Sequence, residues 1–134
     1  MPSSHGTREA AIAVARDYVT SGAFKTELAR RIAVPTESPR EDSGPDHRRY
    51  LAEEIAPDLE AMGFSTRILE NPATERLPIL YAERMEDASL PTILTYGHGD
   101  VLWGMAGDWQ KGRDPFRLDE EDGRLFGRGT VDNK

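Results

Sequence analysis

The amino-acid sequence predicts a mixed α/β fold, and three observations lead to that prediction. The first sixty residues carry apolar side chains at three-, four- and seven-residue steps, the period of an amphipathic helix. After Gly63 the helical period gives way to short β-prone runs. From Gly97 onward glycine and aspartate become dense, which indicates loops crowded around a site. Helices followed by strands favour a layered α/β or α+β domain.

The helical part is predicted to cover about residues 8–62, in two long stretches. Helix-spaced apolar residues run from the start of the first stretch to Ile32, and Pro35 ends it. A loop follows over residues 36–45, which are rich in Pro, Ser, Gly and Asp. This organisation predicts two helical segments before the first strand.

The second predicted helix begins near Asp46, whose carboxylate is suited to capping the first turn. Its apolar stripe consists of Leu51, Ile55, Leu59 and Met62. Gly63 is placed to end the helix, since glycine readily adopts the left-handed conformation found there. Pro57 lies inside it and should kink it, because proline lacks an amide donor.

Strands and loops are predicted for residues 64–134. The β-prone runs are Phe64–Leu69, Ile79–Met85 and Thr92–Tyr96. The third run reads as an interior strand that ends just before His98. A hairpin should follow, with Phe116 and Leu118 on one arm and Leu125 and Phe126 on the other. The Asp122-Gly123 pair supplies its turn.

Composition excludes several classes of protein. A hydrophobic fraction of 37% and a charged fraction of 31% are typical of a folded globular domain. The net charge of −7 disfavours nucleic acid as a partner, because phosphate binding needs a basic surface. The chain has no cysteine, so any zinc site must use His, Asp and Glu. The first nineteen residues lack the apolar run of a secretion signal, and the cytoplasm is the expected location.

A His and an Asp stand two residues apart in Gly97-His98-Gly99-Asp100. In an extended segment such residues project to the same side. In metal sites one imidazole nitrogen binds the ion while the other donates to a carboxylate, and this pair suits that arrangement. The alternative is a hydrogen-bonded histidine at a strand end, with Asp100 as a turn residue. The four residues alone leave both readings open.

Two further polar segments have weaker signals. Asp132 follows the glycine turn of residues 127–129 and could be an oxygen ligand or a surface turn residue. These glycines lack the spacing of a phosphate-binding loop. The acidic run of residues 119–122 lacks the ligand spacing of a calcium loop, and it is interpreted as a solvated hairpin tip.

The order of these motifs from Thr92 to Lys134 is more specific than any one of them. It runs from an apolar strand through Gly-His-Gly-Asp-Val, Trp109, Asp-Pro-Phe and Gly-Arg-Gly-Thr to Asp-Asn-Lys. This pattern resembles the metallopeptidase family that contains acetylornithine deacetylase, succinyl-diaminopimelate desuccinylase, aminoacylase, carboxypeptidase G and the carnosine-type dipeptidases. The first two-thirds of the chain resemble it more loosely, through the loop at residues 34–38.

The resemblance implies roles for particular residues. His98 matches the family's first metal ligand, Asp100 the catalytic-site carboxylate that orients it, and Asp132 the carboxylate that bridges two metals. It also implies a cis peptide after Asp132 and a packing role for Trp109, Phe116 and Phe126. One departure is Leu102-Trp103, where the family commonly has a proline.

The resemblance further implies the N-terminal part of a zinc-exopeptidase-like α/β/α catalytic domain, truncated before its sheet is complete. The complete site would hold two Zn²⁺ ions, with Mn²⁺ or Co²⁺ as possible substitutes, and would cleave a small N-acyl amino acid or dipeptide. The remaining ligands and the general base are expected beyond Lys134, together with a dimerisation domain that makes the whole protein a homodimer.

Two other readings stay open at this stage. The chain could be a catalytically inactive fragment or module that needs further chain or a partner. It could also be an unrelated binding protein with a coincidental Gly-His-Gly-Asp loop.

Overall fold

The computed structural model describes residues 6–134, which contain both helices and strands. The helices are α1 (Arg8–Thr20), α2 (Ala23–Ile32), α3 (Gly44–Arg49) and α4 (Ala56–Ala61), with a π-helical segment (Tyr50–Ile55) between α3 and α4. The strands are β1 (Ser65–Leu69), β2 (Ile79–Glu83), β3 (Asp119–Glu121) and β4 (Arg124–Phe126). The α-helices therefore precede the strands, and two short 3-10 helices (Ala106–Asp108 and Gln110–Gly112) lie between β2 and β3.

The first predicted helix is divided in two at Gly22. Gly22 has φ +86°, a left-handed conformation that glycine adopts without steric cost, and the chain turns there between α1 and α2. α1 buries none of its side chains, and Val14 is 71% exposed. In contrast, α2 buries Leu28 and Ile32. The core therefore begins at α2.

The second predicted helix starts earlier than expected. α3 begins at Gly44, after Ser43, and Asp46 lies inside its first turn rather than capping it. The prediction for Asp46 is therefore wrong. Its carboxylate instead forms an ion pair with Arg40 of the preceding loop. A charged partner outside the helix thus replaces the backbone amide that a cap would bind.

The kink predicted at Pro57 stays a prediction, and what the structure shows is a π-helical segment just before it. Tyr50–Ile55 has the wider i→i+5 hydrogen bonding, and α4 resumes with Pro57 in its first turn. Proline is tolerated there because that turn has no intrahelical partner for its nitrogen. Gly63 ends the helix as expected, with φ +87° and its amide donating to the Glu60 carbonyl at 2.9 Å.

The strands form two separate antiparallel pairs. β1 pairs with β2, and β3 pairs with β4. The turn between β3 and β4 is at Asp122 (φ +50°) and Gly123 (φ +71°), the positive angles of a type I′ hairpin turn. The hairpin is therefore where the sequence predicts it, although its first arm is Asp119–Glu121 and excludes Phe116 and Leu118.

The predicted third strand, Thr92–Tyr96, is not a strand in the structure. No other segment within residues 6–134 forms a ladder with it. Ile93, Leu94 and Tyr96 are 85%, 93% and 90% exposed. The apolar run has the composition of a strand buried on both faces, but a strand needs neighbours to supply its hydrogen bonds. His98 therefore follows a segment without regular secondary structure and not a strand end.

The core lies between α2, the π-helical segment and the loops that follow Ile32 and Tyr96. Its buried apolar side chains are Leu28, Ile32, Val34, Tyr50, Ala56 and Val101. An isolated parallel bridge joins Glu37 to Val101, so the loop after α2 is tied to the segment after His98. None of the helices described is long and apolar enough to cross a membrane.

Candidate metal centre

His98 contacts both of the carboxylates that the sequence singles out. Its Nδ1 lies 3.2 Å from Oδ1 of Asp100, and its Nε2 lies 3.1 Å from Oδ1 of Asp132. Asp100 is two residues from His98, whereas Asp132 is 34 residues away. The structure therefore brings all three predicted site residues together, with one carboxylate on each ring nitrogen.

The electrostatic surroundings favour the protonated form of His98. Burial lowers the pKa of the imidazole, but the negative charges of Asp100 and Asp132 oppose this and the net result is a raised pKa. The negative charges of Asp100 and Asp132 would also attract a metal cation to the space beside His98. In the protonated form, Nδ1 can donate to Asp100 and Nε2 can donate to Asp132.

The His98 loop is anchored to the loop after α2. The Val101 amide donates to the Thr36 carbonyl at 2.8 Å, and the Ser38 amide donates to the Val101 carbonyl at 2.9 Å. The Thr36 hydroxyl, which is fully buried, donates to the Gly99 carbonyl at 2.5 Å. These three bonds lie on both sides of Asp100 and fix the backbone that presents it.

The Asp132 loop is a tight turn that starts at a glycine. Gly129 has φ +95°, and its carbonyl accepts from the Lys134 amide at 3.1 Å. The peptide between Asp132 and Asn133 is cis, as the family resemblance implies. The side chain of Asp132 is 84% exposed and projects toward His98.

The two loops form the walls of one cavity of about 470 Å³. It is lined by His98, Asp100, Val101, Leu102 and residues 127–132. The predicted departure at Leu102-Trp103 lies at its edge, where Leu102 is 71% exposed. The cavity has room for a small ligand beside the imidazole and the carboxylates.

The donor set fits part of a zinc site. Nitrogen and oxygen ligands about 2.0–2.1 Å from a tetrahedral zinc lie roughly 3.3 Å apart, close to the separation of His98 Nε2 and Asp132 Oδ1. Asp100 on the opposite ring nitrogen is the carboxylate that such a histidine usually has. Within residues 6–134, however, no group of three or more His, Cys, Asp or Glu side chains is arranged to hold an ion.

The aromatic residues near the site pack against the framework. Trp109 donates from its indole nitrogen to the Gly104 carbonyl at 2.7 Å. A Cβ on Gly104 would lie 2.9 Å from the ring of Phe116, and the Arg113 guanidinium lies 3.9 Å from the centre of the Phe126 ring. These contacts agree with the packing role predicted for the three rings.

The acidic run at the hairpin is paired with cations. Glu120 binds Lys25 at 2.7 Å, Asp119 binds Arg117 at 3.2 Å, and Glu121 contacts both Lys111 and Arg113. The run lies outside the cavity of His98. Three of its four carboxylates, those of Asp119, Glu120 and Glu121, are therefore bound to cationic side chains, and the absence of a calcium site stays a prediction.

Sequence reasoning does not identify Tyr50, Thr36 or Lys134 as part of the site. Lys134 donates from Nζ to the Arg31 carbonyl at 3.0 Å and to the Val34 carbonyl at 2.5 Å. Burial lowers the pKa of Lys134 to about 8. These contacts join positions about 100 residues apart, so no local pattern could have indicated them.

Comparison with known proteins agrees with this geometry. The sequence model of Peptidase family M20/M25/M40 matches residues 94–134, the part that contains His98, Asp100 and Asp132. The chain is 48% identical over 58 residues to Beta-Ala-His dipeptidase of Mus musculus, which covers 42% of this chain and 11% of that protein. It is 34% identical over 103 residues to acetylornithine deacetylase of Pasteurella multocida, covering 77% of this chain and 26% of the relative.

The fold has a similar relative among solved structures. Human carnosine dipeptidase 1 superposes with a TM-score of 0.74 and 29% identity, over 87% of this chain and 27% of the dipeptidase. Residues 94–134 thus match the peptidase family that the sequence resembles, and the mixed helix and strand fold is similar to part of the dipeptidase. The chain spans between about a tenth and about a quarter of the length of the curated relatives described above.

Proposed function

We propose that this chain contributes part of the active site of a metal-dependent hydrolase that cleaves an amide or peptide bond. The substrate would be a small dipeptide or N-acyl amino acid, and the complete site would hold two metal ions. Zinc is the preferred metal for a histidine and carboxylate set, with manganese or cobalt as substitutes. The proposal concerns the whole protein to which this sequence belongs.

One observation carries the proposal. His98 Nε2 and Asp132 Oδ1 lie 3.1 Å apart, although 34 residues separate them, and Asp100 contacts the other ring nitrogen. A surface histidine with only a structural role needs one carboxylate partner, whereas His98 has two. Two loops that converge on one imidazole, in the region that matches the peptidase family, support a ligand role.

Each of the three side chains has a distinct task in this proposal. His98 would hold a metal ion through Nε2, and Asp100 would orient the ring by accepting from Nδ1. Asp132 would add a carboxylate oxygen and a negative charge to the same site. When bound, the metal ions would polarise the amide carbonyl and activate a water molecule.

The proposed substrate class is supported by the names of the relatives. The chain resembles a Beta-Ala-His dipeptidase, an acetylornithine deacetylase and a succinyl-diaminopimelate desuccinylase. These names share the hydrolysis of an amide bond in a small molecule. The homodimeric state and the cytoplasmic location of the whole protein stay predictions.

A second candidate is a chain that is inactive until further residues complete its site. Catalytic zinc sites normally have three protein ligands, whereas His98 and Asp132 supply two. The absence of a three-residue cluster within residues 6–134 favours this candidate for the isolated chain. The two proposals are compatible, because the same three residues serve both.

A chelator-sensitive amidase assay tests both proposals. The 134-residue chain and a longer polypeptide that continues beyond Lys134 are assayed with dipeptides and N-acetyl amino acids, with and without EDTA. We expect turnover only in the longer polypeptide, and its loss in the His98→Ala and Asp132→Ala variants. EDTA-sensitive turnover by the 134-residue chain would contradict the second proposal, and metal-independent turnover by the longer one would contradict the first.

A further inference from the structure

The ring of Tyr50 lies beneath both loops of the candidate site. Tyr50 is 4% exposed and opens the π-helical segment. A Cβ on Gly99 would lie 2.0 Å from Cε1 of Tyr50, so the backbone beside His98 rests directly on the ring. Lys134 Nζ lies 4.7 Å from the centre of the same ring. One aromatic side chain therefore touches both the loop of His98 and that of Asp132.

Lys134 ties the second loop to the end of α2. Its two carbonyl acceptors, on Arg31 and Val34, belong to the last turn of α2 and the residues just after it. Carbonyls at a helix C-terminus have no partner within the helix and carry partial negative charge, so a lysine is well suited to bind them. The position of the Asp132 loop is thereby linked to the core.

Gly129 makes room for the side chain of Lys134. A Cβ on Gly129 would lie 2.7 Å from Cγ of Lys134, a distance at which one of the two would have to move. The turn therefore depends on glycine both for its positive φ and for the passage of this side chain. The loop folds back over the aliphatic part of Lys134.

Backbone hydrogen bonds shape each ligand loop separately, but the direct contact between His98 and Asp132 contributes little to the separation of the two loops. The segment before His98 is in no ladder within the described part of the chain, and Asp132 is 84% exposed. The Asp132 side chain makes its polar contact with His98 itself. A contact between two exposed side chains is weak and could not fix two loops against each other.

We propose that Tyr50 and Lys134 are positioning residues that hold His98 and Asp132 at the separation one metal ion requires. The metal part of this inference rests on the proposed function, while its geometric part concerns the chain alone. The ring of Tyr50 packs against the Gly99 backbone and limits how closely the His98 loop approaches the core. Lys134 holds the Asp132 loop next to the same ring. π-helical segments frequently lie at functional sites, and this one places Tyr50 there.

The geometric part is tested by NMR of the His98 ring nitrogens in the metal-free 134-residue chain. Asp132→Ala provides the reference spectrum for a lost contact. Lys134→Met should shift the His98 signals toward that reference although Asp132 is still present. Lys25→Met is the matched control, because Lys25 forms an ion pair with Glu120 on the hairpin and should leave His98 unchanged.

The metal part is tested by Co²⁺ binding to the same variants, well below their unfolding temperatures. We expect a loss of roughly 10–100-fold in affinity for Lys134→Met and Tyr50→Leu, the usual effect of removing a residue that orients a ligand. Tyr50→Phe keeps the aromatic ring and should therefore bind Co²⁺ with wild-type affinity. Should Tyr50→Leu fail to fold, Lys134→Met and Tyr50→Phe still give a result.

The two experiments distinguish a positioning role of Lys134 from a role in metal binding. Unchanged His98 signals and unchanged Co²⁺ affinity in folded Lys134→Met, with only a lower unfolding temperature, would show that Lys134 serves stability alone and would overturn the inference. If the wild-type chain binds no Co²⁺ but Lys134→Met still reproduces the Asp132→Ala spectrum, the metal part of the inference fails for this chain while the positioning role stands; the proposed function itself is tested separately by the amidase assay on the longer polypeptide.

Discussion

Removing the carboxylate of Asp100 should weaken metal binding without removing a ligand. Residues that orient a metal-binding histidine typically contribute 10–100-fold to affinity. The Asp100–His98 contact is 3.2 Å long, longer than the 2.7–2.9 Å typical of charge-assisted bonds, and Asp100 is 41% exposed. Because the contact is long and exposed, we expect the loss of metal affinity to be near the lower end of the 10–100-fold range. We expect Asp100→Ala to bind metal about tenfold more weakly, or about 1.4 kcal/mol.

Asp100→Asn separates the hydrogen bond from the charge. The amide oxygen can still accept from Nδ1, but a neutral acceptor makes a bond roughly half as strong as a charged one. Half of the free energy corresponds to a loss of roughly threefold in affinity. The order of affinities should therefore be wild type, Asp100→Asn and Asp100→Ala.

The assay is a Co²⁺ titration of ¹⁵N-labelled chain, followed by paramagnetic broadening of the Gly99 and Gly129 amide signals. This method suits a weak site with two protein ligands. Asp119→Ala is the control, because Asp119 pairs with Arg117 at the hairpin and does not line the cavity. Wild-type affinity in Asp100→Ala, or an equal loss in Asp119→Ala, would refute the reasoning.

Two further predictions concern stability. Burial lowers the pKa of Lys134 from 10.5 to about 8. Between these two pH values the unfolded chain binds more protons than the folded chain. The free energy of unfolding should therefore rise with pH, by up to roughly 3 kcal/mol. Urea unfolding between pH 7 and 10 should show this rise in the wild type but not in Lys134→Met, and equal profiles would contradict it. Ile32→Ala should cost about 2–5 kcal/mol in the same assay, since Ile32 is 0% exposed. A loss below 1 kcal/mol would show that Ile32 is not part of a well-packed core.

The parts of the fold that could be predicted depend on local chemistry. Asp122-Gly123 determines a hairpin turn, because its two positive φ angles suit few other residue pairs. Gly63 ends a helix for a similar reason. Pro57 predicts a disturbance of the helix, but the same missing amide can produce a kink, a break or a π-helical segment. The sequence alone does not decide among these forms.

The candidate site shows the same division. His98 and Asp100 are two residues apart, so their proximity follows from the chain itself. The approach of Asp132 was predicted by the resemblance of the whole motif series and could not follow from spacing. Tyr50 lies in none of the motifs, and Lys134 ends the Asp-Asn-Lys motif without a predicted role, because the contacts of both with the ligand loops depend on how the loops meet.

The predicted strand at Thr92–Tyr96 illustrates the limit of periodicity. Its composition indicates burial on both faces, but composition does not provide the neighbouring strands that burial requires. Among the described residues no such neighbour pairs with it, and Leu94 is 93% exposed. A pattern predicts what a segment can do, and the rest of the fold determines whether it does so.

The central claim is that His98 and Asp132 bind the same metal ion. X-ray absorption at the zinc edge of the Zn²⁺-loaded chain tests it directly, because imidazole gives a characteristic scattering pattern. We expect one imidazole nitrogen and carboxylate oxygen at ~2.0–2.2 Å. The imidazole signal should disappear in His98→Ala, and the oxygen shell should change in Asp132→Ala. An imidazole signal that persists in His98→Ala, or none in the wild type, would contradict the assignment.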